Sequence, residues 1–105
     1  MVIIETSGFT RRVQALFTDE EYRKLQTALI NRPTVGTLIQ GSGGLRKVRW
    51  ALSNRGKSGG VRVIYYWAVE QRQLLMLFVF AKNERDDLSP AQRKILQQIV
   101  EDEYP

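Results

Sequence analysis

Cysteine and histidine are both absent from the 105 residues. Without cysteine there is no disulfide, no thiolate nucleophile and no sulfur-built zinc or iron–sulfur site, and without histidine the commonest metal ligand is missing. The expectation is a protein that uses neither metal nor cofactor. Ser-His-Asp and Cys-His pairs are excluded for the same reason, so any proton transfer falls to Lys, Tyr, Asp, Glu or Arg. No apolar run approaches the ~20 residues that span a bilayer, and the N-terminus meets a charge at Glu5, too early for a signal peptide. These features predict a cytoplasmic protein with no membrane contact.

What is present is an ordinary globular composition, 43% hydrophobic and 26% charged, in a chain sized for one domain over residues 1–105. Sixteen Lys and Arg against eleven Asp and Glu leave a net charge of +5, which favours an anionic partner, nucleic acid first. The excess is local. Residues 44–62 hold Arg46, Lys47, Arg49, Arg55, Lys57 and Arg62 and no acid, leaving ten basic against eleven acidic residues elsewhere.

Val2–Glu5 reads as a short strand. Phe9, Val13 and Leu16 or Phe17 recur at helical spacing, and Thr18-Asp19-Glu20-Glu21 is a capping box opening a second helix that ends before Pro33. Residues 34–44 read as a glycine-bearing loop. Three strand-like runs follow, Leu45–Ala51, Val61–Val69 and Gln73–Ala81, and Ser89-Pro90 with Gln92 starts a final helix. The order β-α-α-β-β-β-α predicts an α+β domain: a small antiparallel sheet meander, two N-terminal helices and one C-terminal helix, with the helices on one sheet face and the other face open. The run Leu74–Phe80 lacks alternation and predicts the central strand of the sheet, covered on both faces.

Alternation places Leu45, Lys47 and Arg49 on one side of their strand and Arg46, Val48 and Trp50 on the other. If residues 53–60 fold back as a hairpin, Arg62 comes near Arg49, a like-charge juxtaposition that a bound phosphate would relieve. Gly56-Lys57-Ser58 lacks the first glycine and the parallel strand of a P-loop. Tyr65, Tyr66 and Trp67 have the surface for base stacking, but at least two of the three are expected in the core. Lys82 and Asn83 follow the last strand, where a polar pair faces the same cleft or simply makes a turn.

The stretches 43–49, 57–66, 80–84 and 87–89, with Gln40-Gly41-Ser42 leading into the second strand at Leu45, resemble the HigB branch of the RelE-type bacterial toxins. The resemblance covers nearly the whole chain. It implies a small basic toxin of a type II toxin–antitoxin system, a ribosome-dependent endoribonuclease that cuts messenger RNA during translation. It also implies a cognate antitoxin, of a helix-turn-helix DNA-binding kind. By position it assigns Lys47 and Arg49 to the scissile phosphate, Arg62 to its stabilisation, and Lys82 and Asn83 to the pair after the last strand. Asn83 stands where better-known RelE members have an arginine, and Ser89, or Leu88 beside it, falls near their catalytic tyrosine.

Cleavage without metal through the substrate's 2′-hydroxyl needs a proton acceptor, a donor to the leaving oxygen and cations around the phosphate. Lys47, its pKa lowered by neighbouring cations, is the candidate base and Arg62 the charge stabiliser. Arg46, Arg55 and Lys57 are candidate RNA contacts. The competing reading is a non-catalytic basic module that binds RNA or an acidic partner through the same residues.

Overall fold

In the computed structural model, which describes residues 1–52, 60–85 and 87–105, the elements run β1 (Val2–Glu5), α1 (Ser7–Leu16), α2 (Asp19–Asn31), β2 (Thr37–Leu38), β3 (Leu45–Trp50), β4 (Val61–Ala68), β5 (Gln73–Ala81) and α3 (Pro90–Glu103). This is the expected α+β order with one addition, β2, which is too short to show any periodicity. Two capping boxes start α2 and α3 where the sequence places them. Thr18 accepts from the Glu21 amide while the Glu21 carboxylate accepts from the Thr18 amide, and Ser89 and Gln92 do the same. A side-chain cap of this kind stabilises a helix by ~1 kcal/mol.

The strand order is β1-β5-β4-β3-β2, so β4 is the central strand and not β5 as expected, because β1 adds only one strand outside β5 while β3 and β2 add two outside β4. β3, β4 and β5 form the antiparallel meander, but β1 pairs β5 in parallel, so the sheet is mixed. Local pattern marks Val2–Glu5 as extended; the direction of a partner some seventy residues away is decided by long-range pairing.

Helices cover both sheet faces, not one as expected. Val61, Val63, Tyr65 and Met76 pack against Phe9, Val13, Leu25 and Leu29 of α1 and α2. Ile64, Leu75, Leu77 and Phe80 pack against Leu96 and Val100 of α3. β5 is apolar on both sides, so an open face would leave a row of large side chains in water. α3 is fixed across that face by its far end: Tyr104 stacks on Tyr66 at 5.7 Å and its hydroxyl donates to Gln73 at 2.7 Å.

The three consecutive aromatics are used in packing. Tyr65 is fully buried, its hydroxyl donating to Pro33 O at 2.6 Å and accepting from the Gly36 amide at 2.9 Å. Tyr66 meets Tyr104, and Trp67 lies half-buried against the α1–α2 core.

Candidate functional site

α3 packs with Leu45 and Ile64, and the basic residues stand beyond them, toward the far end of the β3–β4 ladder. The pleat sends Lys47 and Arg49 to the α3 face with Leu45, and Arg62 to the same face with Ile64. Arg49 and Arg62 are direct cross-strand partners. Such a like-charge pair is destabilising by itself, and the nearby Asp87 carboxylate offsets part of that cost at Arg62.

Their environments differ. Arg49 is exposed, whereas Arg62 is only 6% exposed, faces Phe80 across the ladder, and donates to the Val61 carbonyl at 3.4 Å. Arg49, Trp50, Gly60, Arg62 and Lys82 line an open cleft of about 420 Å³. Lys82 reaches it because its amide donates to Gly60 O at 3.1 Å, tying the turn after β5 to the start of β4. Gly60 has φ +57, and a Cβ there would collide with the Trp50 carbonyl oxygen, so only glycine brings the two strand ends this close. Asn83 follows in the same turn, exposed and outside the cleft lining.

Lys47 is not surrounded by cations alone. Its ammonium donates to Asp87 Oδ2 at 3.1 Å, with 26% of the lysine side chain and 59% of the aspartate side chain exposed. Burial pushes the Asp87 pKa up, but the Leu88 amide, Lys47 and the nearby Arg62 charge outweigh it and hold the carboxyl below its usual value. Asp87 thus places a carboxylate where an incoming phosphate would meet Lys47. In the sequence Asp87 is no more than the approach to a helix start. No spacing rule pairs it with a strand residue forty positions earlier.

Arg46 lies on the opposite face, as the pleat requires, and its guanidinium donates to Gly36 O at 2.8 Å and Thr34 O at 3.4 Å. It pins the loop before β2. Arg55 and Lys57, with Gly56-Lys57-Ser58, lie outside the described residues. The structure adds an arginine that sequence reasoning misses, Arg85. Its guanidinium sits over Phe80 at 5.8 Å and over Phe78 at 5.5 Å, beside the ring that faces Arg62. The signal available in sequence is only its position three residues after Lys82.

Among the described residues no group of three or more Asp and Glu is placed to hold a metal ion, and no helix is long and apolar enough to cross a membrane. The arrangement can hold an anion: Arg49, exposed, and Arg62, buried, line the cleft, and Lys47 stands on the same face of the sheet beside it.

Comparison with known proteins supplies the context for this site. Residues 23–103 match the sequence model described as the RelE toxin of the RelE/RelB toxin–antitoxin system. The fold is similar to the isolated E. coli RelE toxin, with a TM-score of 0.61 at 14% identity, covering 93% of this chain and 97% of that one. A chain of the intact E. coli RelBE toxin–antitoxin complex gives a TM-score of 0.60 at 14% identity, covering 76% of this chain and 94% of that one. A doubly substituted mutant of E. coli RelE in the free state gives 0.59 at 13% identity, over 81% and 86%.

Proposed function

Since the chain belongs to the RelE toxin family, and is therefore a toxin of a toxin–antitoxin pair, we propose that it is a ribosome-dependent endoribonuclease that cuts messenger RNA in the cytoplasm and so halts protein synthesis. The observation that carries this reading is the Arg49–Arg62 cross-strand pair at the cleft on the α3 face, with Lys47 and Lys82 nearby. A pair of facing arginines is an unfavourable way to finish a ladder and a favourable way to hold a phosphodiester.

In this reading the substrate phosphate lies across Lys47, Arg49 and Arg62. Arg62, buried and preorganised, meets the charge that develops on the pentacoordinate phosphorus, while exposed Arg49 guides the strand in. Once the phosphate has displaced Asp87, Lys47 releases its ammonium proton to solvent and, as the neutral amine, takes the 2′-hydroxyl proton. Lys82 and Asn83, on the turn beside the cleft, contact the leaving side, and Arg55 and Lys57 extend the RNA path. The alternative use of the same face is RNA binding without cleavage.

The test is controlled expression of the wild type, Arg49→Ala and Arg62→Ala, with growth followed and messenger RNA 5′ ends mapped in the same cultures. Growth arrest with new ends inside translated frames, lost in both variants, supports the proposal. Arrest without new ends means the face binds and does not cut. Arrest and cleavage undiminished in a soluble Arg49→Ala protein would remove this face from the site.

A further inference from the structure

The cleft beside Arg49 and Arg62 is lined by two kinds of surface. Among the described residues that line it, Arg49, Arg62 and Lys82 carry charge, while Trp50, Ala51 and Leu52 offer indole, methyl and isobutyl groups. A phosphate needs donors and positive charge and gains nothing from such an apolar floor. At about 420 Å³ the cavity also lies in the size range of sites that hold a whole small molecule. The apolar half calls for a second group on the same ligand.

Local sequence brings the two halves together. Alternation along β3 sends Arg49 to the α3 face and Trp50 to the other, where Trp50 and Leu52 pack against the α1–α2 core. In the middle of a long ladder those two faces would share no cavity. Here β3 ends at Trp50 and β4 begins at its cross-strand partner Val61, so the ladder stops one pair beyond Arg49 and Arg62. The cleft reaches round that end, where Gly60 adds no side chain. Trp50 and Leu52 are half-buried and Ala51 is exposed, so part of the apolar surface is open to a ligand. The other aromatics of the hairpin are committed elsewhere: Tyr65 is fully buried, Tyr66 stacks on Tyr104, and Trp67 lies against the α1–α2 core outside the cleft lining.

We propose that Trp50, with Ala51 and Leu52, seats a nucleobase, the one next to the phosphate that Arg49, Arg62 and Lys82 hold. This seat rests on the RNA reading of the cleft and adds to it the residue that selects the base. A nucleotide carries an anion and a flat apolar ring one sugar apart, which is the pairing the cleft presents. Single-stranded RNA is recognised by stacking its bases on aromatic side chains, whereas duplex bases are already stacked on one another. Because dispersion grows with the number of atoms in contact, an indole favours the two fused rings of a purine over the single ring of a pyrimidine. Three cations in the same lining are a poor match for a purely apolar peptide side chain.

The experiment uses the full-length Trp67→Phe protein, in which Trp50 is the remaining tryptophan of two. Its fluorescence is titrated with single-stranded 2′-deoxy oligonucleotides of equal length and charge, which lack the 2′-hydroxyl nucleophile and so are not cut: an all-purine, an all-pyrimidine and an abasic oligomer. Saturable quenching is expected with the purine oligomer, at an affinity about fivefold or more above the other two. Trp50→Leu should lose that preference and bind all three alike, read by anisotropy of labelled oligomers, while Trp50→Phe should keep part of it. Thermal unfolding shows whether these two variants hold the fold, and the quenching result does not depend on them. Equal affinity for the purine and abasic oligomers would overturn the proposal and leave a phosphate site alone. Binding that does not change Trp50 fluorescence, or no binding by any oligomer, would overturn it as well. Quenching by the purified antitoxin and by none of the oligomers would assign the floor to a protein contact, with the same consequence. Messenger RNA ends are mapped separately in cells: cuts without quenching would remove the seat and leave the nuclease reading standing, and quenching without cuts would do the reverse.

Discussion

Lys47 Nζ stands 3.1 Å from Asp87 Oδ2, a strand residue held by a carboxylate from the segment that leads into α3. The contact makes the basic face partly self-neutralised in the free protein. In the proposed function, an RNA phosphate would have to replace one anion with another at Lys47.

Asp87→Asn therefore raises affinity for ribosome-bound or free RNA, by about three- to tenfold, while shifting stability by no more than ~0.5 kcal/mol, the usual worth of so exposed a pair. Binding titrations and thermal unfolding of the same preparations check this. Weaker binding by Asp87→Asn would show that the carboxylate orients Lys47 for substrate instead of competing with it.

Arg46 and Arg49 are near neighbours in sequence on opposite faces. Arg49→Ala should weaken RNA binding and lower the salt dependence by about 0.7 to 0.9 in log–log slope, the share of a single neutralised phosphate. Arg46→Ala should leave that slope unchanged and destabilise the fold by about 1–2 kcal/mol, because the Gly36 and Thr34 carbonyls lose a charged donor. Measuring affinity across a salt series for both variants separates the roles, and a reversed pattern would exchange them.

Gly60 joins β4 to the turn that carries Lys82. Gly60→Ala meets both a left-handed backbone, φ +57, and the Trp50 carbonyl, and should cost about 2 kcal/mol or more. A clear fall in Tm together with loss of RNA affinity is expected. An unchanged Tm would mean that β3 and β4 separate here without penalty.

The Arg12–Glu84 pair clamps α1 to the end of β5. The Ala81 amide, then the Arg12 guanidinium, hold the Glu84 carboxyl below its usual pKa. A depressed carboxylate contributes stability above its unfolded pKa and loses it as the pH falls through the folded value. Glu84→Gln should thus lower stability near pH 7 by about 0.5–1 kcal/mol, a figure held down by exposure. The difference from wild type should close in acid, as the pH falls through the lowered pKa of the folded carboxyl. Unfolding curves near pH 7 and in acid decide it; a difference that persists in acid would point to the amide geometry and not the charge.

Much of this protein was determined by local sequence. The capping boxes at Thr18 and Ser89, the apolar run Leu74–Phe80 and the alternation of Leu45, Lys47 and Arg49 are short-range patterns, and each sets an element or a face without reference to the rest of the chain. The basic cluster was legible for the same reason, since its residues are close in sequence and on strands one hairpin apart. Tertiary structure decided what depends on distant pairing: the parallel seat of β1 on β5, the two-residue β2, and the placing of α3 on the face opposite α1 and α2. It also decided that Asp87 meets Lys47, that Arg85 lies beside Phe80, and that Arg46 is spent on loop carbonyls. Those pairings join residues up to about seventy positions apart, and no local propensity encodes a partner that only the closed sheet brings within 3 or 4 Å.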